Sequence, residues 1–219
     1  MKKTSKIDLL ISIYIFCIVV AELMGAKTFP LAVVFGYQLN ASVAIFVFPL
    51  IFTINDIITE VYGRDRTRSI IRASLVIIFL LIIVSLLFTI LPPSARFAAT
   101  EVAYDQIFSL SARISAASFT AFLIAEIVDV MVFNKIRQRL GEKALWLRTN
   151  ASNFIAMFFD TTLFMSLAFY DFGLGFSENY SFLISLILPY WGLKMLASVI
   201  ETPFAYWGVN WLKQDSETA

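Results

Sequence analysis

Seven carboxylates, Glu22, Asp56, Glu60, Glu126, Asp129, Asp160 and Glu201, fall within apolar stretches of this chain, and two ammoniums, Lys27 and Lys194, accompany them. Ionisable groups are costly in hydrocarbon and normally face a bundle interior or a wet cavity, so each one is a candidate for function. Pairing alone cannot neutralise this set: some carboxylates must be protonated, hydrated or bound. The chemistry on offer is recognition of a solute bearing N–H donors or positive charge, or passage of protons along the carboxylates. Export of an anion fits poorly.

Much other chemistry is excluded. The chain has no histidine and one cysteine, Cys17, which removes disulfide frameworks, Cys/His zinc sites, imidazole acid–base chemistry and Ser-His-Asp triads. No GxxxxGK[ST] phosphate loop occurs, so ATP is not bound in that manner. No cofactor or metal is expected. A formal charge of +1, from 17 basic and 16 acidic residues, gives no field that would draw nucleic acid.

The elements that must position these groups are membrane helices. With 59% hydrophobic and 15% charged residues, the composition is that of a protein in a bilayer, and 219 residues suit a single transmembrane domain over 1–219. Roughly 20 apolar residues cross the hydrocarbon core. Six stretches qualify: Ile7 to Lys27, Leu39 to Glu60, Ile70 to Leu91, Ala112 to Phe133, Ala151 to Tyr170 and Phe182 to Trp211. The first is long enough to span and reads as a retained helix rather than a signal peptide. Lys2, Lys3, Lys6, then Arg64 to Arg72, then Lys135 to Arg148, then Lys213 all fall on one side, which puts both termini in the cytoplasm.

Between Ser94 and Ser111 the chain is too polar to span; it is either an ordinary loop or a surface segment with Phe97, Tyr104 and Phe108 in one stripe. Trp146, Tyr190, Trp191, Trp207 and Trp211 suit interfacial belts or a pocket wall.

Helical spacing sets Asp56 with Glu60, Glu126 with Asp129, and Lys194 with Glu201 on common faces, so spans two, four and six are each expected to turn a charged stripe inward. Asn55 lies in the same part of span two. Span three has no ionisable residue after Arg72 and is expected to face lipid. Asp160 and Lys194 both fall near the midplane of adjacent spans, where an unpaired charge is expensive, and an ion pair between them is the preferred arrangement. Ala21 with Gly25, and the alanines from Ala112 to Ala125, would allow close helix approach. Pro49 and Pro203 fall inside spans two and six, where a missing N–H can open a kink.

Three blocks, FPLIFTINDIITEVYGRDRTR (Phe48 to Arg68), ARISAASFTAFLIAEIVDVMVFNKIRQ (Ala112 to Gln138) and LWLRTNASNFIAMFFDTTLF (Leu145 to Phe164), resemble the queuosine precursor transporters. That is the VUT family, whose six-span all-α fold is similar to the substrate-binding subunits of energy-coupling-factor (ECF) importers. The resemblance implies uptake of 7-cyano-7-deazaguanine, 7-aminomethyl-7-deazaguanine or queuine across the cytoplasmic membrane. By motif it implies roles in substrate binding for Asp56, Glu60, Asp129, Asp160 and Lys194, and it extends to Arg113. Glu22 and Glu126 stand where the family commonly has amides, a change that would suit the cationic aminomethyl base better than the neutral cyano base, or add a proton-coupling site. A guanine-like edge can donate two N–H groups to one carboxylate, and its ring can stack on aromatic walls, for which Phe48, Phe158, Phe159, Tyr190 and Trp191 are available.

The expected working unit is a self-sufficient importer or facilitator in membrane lipid, with a homodimer as its candidate assembly. The alternative is a substrate-binding subunit of an ECF-type vitamin or nucleobase importer, which needs separate ATPase partners. An intramembrane aspartic enzyme is a third reading, opposed by the different depths of Asp129 and Asp160.

Overall fold

The computed structural model describes residues 5–140 and 145–216. Within them the chain runs α1 (Lys6–Met24), β1 (Thr28–Val34), β2 (Tyr37–Ser42), a 3-10 helix (Val43–Phe46), α2 (Phe48–Tyr62), α3 (Arg64–Ile90), α4 (Glu101–Leu140), α5 (Leu145–Phe169) and α6 (Phe176–Ser216). Lys2, Lys3 and Lys143 lie outside the described residues, as do the side chains of Trp146, Asp129 and Glu201. Lys6–Met24, Arg64–Ile90 and Glu101–Val128 are long and apolar enough to cross a bilayer, and Phe154–Phe169 is a shorter apolar helix. The architecture is that of a helical membrane protein.

α3 shows how the bundle sorts its faces. Thr67, Ile70, Ser74, Ile78 and Ser85, three, four or seven apart, form its one buried stripe. Phe79, Leu80, Ile83, Val84, Leu86 and Leu87 stay exposed, as a lipid-facing surface requires.

The main core joins Leu10, Tyr14, Cys17 and Ile18 of α1 to Ile51, Ile54, Ile57 and Ile58 of α2, to Ile70 and Ile78 of α3, and to Val209 and Leu212 of α6. α2 and α6 meet closely at Gly208. A Cβ there would run into the Ile57 side chain, with Cγ1 only 2.8 Å away, so a hydrogen is all the contact admits. Ala112, Ala117, Ala121 and Ala125 are buried on α4, as close approach needs, whereas Ala116 faces outward.

The second expected span departs from the sequence reading. Leu39 to Phe46 is not α-helical; it is the end of β2 and the 3-10 helix, and α2 itself has 15 residues, a length of about 22 Å. The cause is local. Val34 pairs with Tyr37 across a two-residue loop, Phe35-Gly36, in which both residues have positive φ, 50° and 79°, the geometry of a tight hairpin turn. Ser42 then breaks off the strand: its hydroxyl donates to the Gly25 carbonyl at 2.6 Å and accepts the Ala44 N–H at 3.2 Å. Pro49 consequently sits in the first turn of α2, where no N–H partner is needed, and does not kink a span. The prolines inside a helix are Pro189 and Pro203 of α6.

The hairpin is fastened to α6. Tyr37 donates its hydroxyl proton to the Ser181 carbonyl, and Asn40 Nδ2 donates to Ser185 Oγ at 2.9 Å. The segment from Ser94 to Ser111, whose character the sequence leaves open, is helical from Glu101, so α4 begins eleven residues before the expected start at Ala112. Tyr104 meets Phe97 at 5.5 Å and Phe108 at 4.4 Å between ring centroids, which makes the aromatic stripe real.

Candidate functional site

A cavity of about 210 Å³ lies at the centre of the bundle and receives side chains from all six helices. α1 contributes Tyr14 and Glu22, α2 Phe48, Phe52 and Asn55, α3 Ser74, α4 Ser118 and Phe122, α5 Asp160 and Phe164, and α6 Tyr190 and Lys194. Ala44, from the 3-10 turn, closes part of the wall. Non-helical backbone at membrane depth is tolerated where it lines such a cavity.

Its electrostatic anchor is the ion pair expected from the sequence. Lys194 Nζ donates to Asp160 Oδ2 at 2.9 Å and to Thr161 Oγ1 at 3.2 Å. The ammonium lies over the rings of Phe48, at 5.5 Å, and Tyr190, at 5.7 Å, so cation–π attraction adds to the pair. Lys194 is 8% exposed, and a charge that deep must be paired. Asp160 keeps the wetter side of the pair and faces the cavity.

Other polar atoms in the wall lack partners. Glu22 is 5% exposed and its Oε2 accepts no hydrogen bond, although Ser115 and Ser118 lie close to the carboxylate. Asn55 Oδ1 and the Tyr190 hydroxyl are also buried without partners. Such groups are scarce in folded proteins because each forfeits its solvation, and several around one cavity mark a place where a polar ligand belongs.

Of the residues singled out by sequence, Glu22, Asn55, Asp160, Tyr190 and Lys194 come together here. Asp56 and Glu60 do not. They share a face of α2, but that face is exposed, because Ile51, Ile54, Ile57 and Ile58 take the inward positions. Glu126 on α4 is exposed as well, while Ala121 and Ala125 pack inward. The inward charged stripe expected on span two is thus corrected, because branched apolar residues occupy the inward face; on span four Glu126 faces outward. The side chain of Asp129, the partner of Glu126 in the expected span-four stripe, lies outside the described residues.

Phe48 is a wall as expected. Trp191 packs instead on Phe154 and Phe158, at 4.6 and 5.4 Å between centroids, and neither Phe158 nor Phe159 reaches the cavity. Tyr14, Ser74, Ser118, Phe52, Phe122 and Phe164 are lining residues that sequence reasoning passed over. For Ser74 a signal existed, a hydroxyl on the buried stripe of an otherwise apolar helix.

Arg113 acts elsewhere. Its guanidinium donates to the carbonyls of Leu167 at 2.9 Å and Tyr170 at 2.5 Å, capping the orphan carbonyls at the end of α5. A wider groove of about 900 Å³ opens on the outside of the bundle between the hairpin, α2 and α6. It shares Phe48, Phe52 and Lys194 with the central cavity, but Thr53 and Lys194 are almost its whole polar content, so it suits acyl chains better than a polar solute.

A family model described as "Putative vitamin uptake transporter" matches residues 42–208. A protein of Haemophilus influenzae named "Probable queuosine precursor transporter" is 33% identical over 125 residues, 57% of this chain and 50% of that protein. One of the same name from Bacillus subtilis is 27% identical over 205 residues, 93% of this chain and 85% of that protein. The "Queuosine precursor transporter" of Escherichia coli is 32% identical over 128 residues, 57% of this chain and 53% of that protein. The alignments therefore span about half the length of two of these relatives. No solved structure matches the chain. The family match runs from the start of the 3-10 turn into α6 and so takes in every wall of the cavity except the one α1 supplies; on that match, the chain is a multi-pass membrane protein belonging to the vitamin uptake transporter family.

Proposed function

We propose that the chain imports a queuosine precursor, a 7-deazaguanine base, through the central cavity. The observation that carries this reading is the cavity's combination of unpaired polar atoms on Glu22, Asn55 and Tyr190 with an ion pair and aromatic walls. A guanine-like edge brings adjacent N–H donors and a carbonyl, which match a carboxylate, an amide oxygen and a hydroxyl. Phe48, Phe52, Phe122 and Phe164 offer surfaces on which a flat ring stacks. The names of the three relatives support the same substrate class.

In this reading the six helices cross the cytoplasmic membrane six times with both termini inside, as the distribution of lysine and arginine favours. The hairpin then lies on the outer side, above the cavity. Asp160 receives the base and Lys194 holds Asp160 in place.

The test is uptake of a labelled deazaguanine base into cells lacking their own synthesis and transport, with this protein expressed alone. Uptake that falls to background with Asp160→Asn, at unchanged membrane expression, is the expected result. No uptake by the wild-type chain, despite verified insertion, sinks the proposal.

A further inference from the structure

Two carboxylates and one ammonium are the charged groups among the described residues that line the cavity: Glu22, Asp160 and Lys194. Asp160 and Lys194 neutralise one another at 2.9 Å. Glu22 is left over. It is buried to 5% exposure, it lines the cavity, and its Oε2 has no hydrogen-bond partner. The other titratable groups facing the cavity are Tyr14 from α1 and Tyr190 from α6, both neutral as phenols, so neither supplies the missing positive charge. Lys27, the nearest basic residue in sequence, is exposed at the hairpin end and contributes no lining atom.

A carboxyl held in a dry site without a counter-charge either keeps a proton or takes a cation from whatever enters, and an entering ammonium favours the second. Resting on the reading of the cavity as the substrate site, we infer that Glu22 is the specificity-determining residue, and that it selects a flat base carrying a primary ammonium group over its neutral counterpart. A primary amine is protonated at neutral pH, as a lysine is, and an N⁺–H···O⁻ bond is stronger than its neutral equivalent. Lys194 disfavours the same ammonium at the other carboxylate, because Asp160 is already matched. The base is thereby oriented, with its cationic arm toward α1 and its N–H edge toward Asp160. Glu126, the other added carboxylate in the sequence, is exposed on α4 and takes no part in this balance.

The experiment is competition between 7-aminomethyl-7-deazaguanine and 7-cyano-7-deazaguanine, by uptake in cells and by binding to the purified full chain. The wild-type chain should prefer the aminomethyl base by about tenfold or more, the size of one charge-assisted hydrogen bond. Glu22→Gln should weaken the aminomethyl base at least tenfold more than the cyano base and so erase the preference, and Glu22→Asp should keep part of it. A wild-type chain that binds both bases equally overturns the inference without recourse to any variant. So does a Glu22→Gln chain that retains the preference, or one in which transport of both bases loses a dependence on the proton gradient, since Glu22 would then carry a proton instead. If the wild-type chain binds neither base, the reading of the cavity as a deazaguanine site fails first, and this inference with it.

Discussion

Lys194 donates to both Asp160 and Thr161, and its burial makes its partner's identity matter more than its own. Asp160→Ala would strand a buried ammonium and should cost about 3 kcal/mol of stability. Replacing both members together, with Asp160→Asn and Lys194→Met, should recover part of that loss. Thermal unfolding in one detergent across the three proteins checks the ordering. Phe35 offers a change of opposite sign. It holds φ at 50° at the tip of the hairpin with its ring fully exposed, and a left-handed conformation costs a residue with a Cβ about 1 kcal/mol. Phe35→Asn, a residue suited to this turn, should raise stability by about that amount, read from the same unfolding curves.

At the scale of elements, two joints can be addressed singly. Gly208→Ala drives a methyl into Ile57 and should destabilise the α2–α6 contact by about 1–3 kcal/mol. Ile57→Val in the same chain should return some of it, since less of the opposing side chain then fills the space, and a double-mutant cycle measures that coupling. The hairpin is held on α6 by Tyr37 and Asn40. Tyr37→Phe should loosen it by about 1 kcal/mol and speed amide exchange in residues 28–42, while exchange in α3 stays as it was. These elements also show what the sequence could carry. The long apolar helices were legible because length and composition alone mark them, although α3 and α5 each begin six residues before their expected starts and α1 ends three residues short of its expected end. The hairpin was not, because Leu39 to Phe46 is apolar enough to pass as helix; a serine hydroxyl bonded to a carbonyl seventeen residues earlier in the chain decides its geometry.

Taken whole, the molecule arranges residues from all six helices around one cavity, and the candidate site was legible to the extent that an intramembrane charge demanded a partner. Asp160 and Lys194 could be paired from depth alone. Asp56 and Glu60 could not be assigned a direction from depth: a one-residue step turns a helix by about 100°, and that step separates Asn55 in the wall from Asp56 on the exposed face. The orientation proposed for the chain has its own check. Cys17 is the sole cysteine and is buried, so Cys17→Ser gives a background on which a cysteine at position 35 should react with an impermeant maleimide on intact cells. A cysteine at position 213 should react only after lysis; the reverse pattern would invert the topology.

β1 is the outer strand of the two-stranded sheet, with β2 between it and α6. It carries Pro30 and an irregularity of register between Pro30 and Ala32. A proline removes one donor from the free edge, and a bulge bends the strand away from flatness. At the crowding of a membrane, two copies meeting hairpin to hairpin would find no regular ladder to extend, so this edge resists strand exchange and cross-β association between neighbours while the hairpin keeps its place on α6 of its own chain.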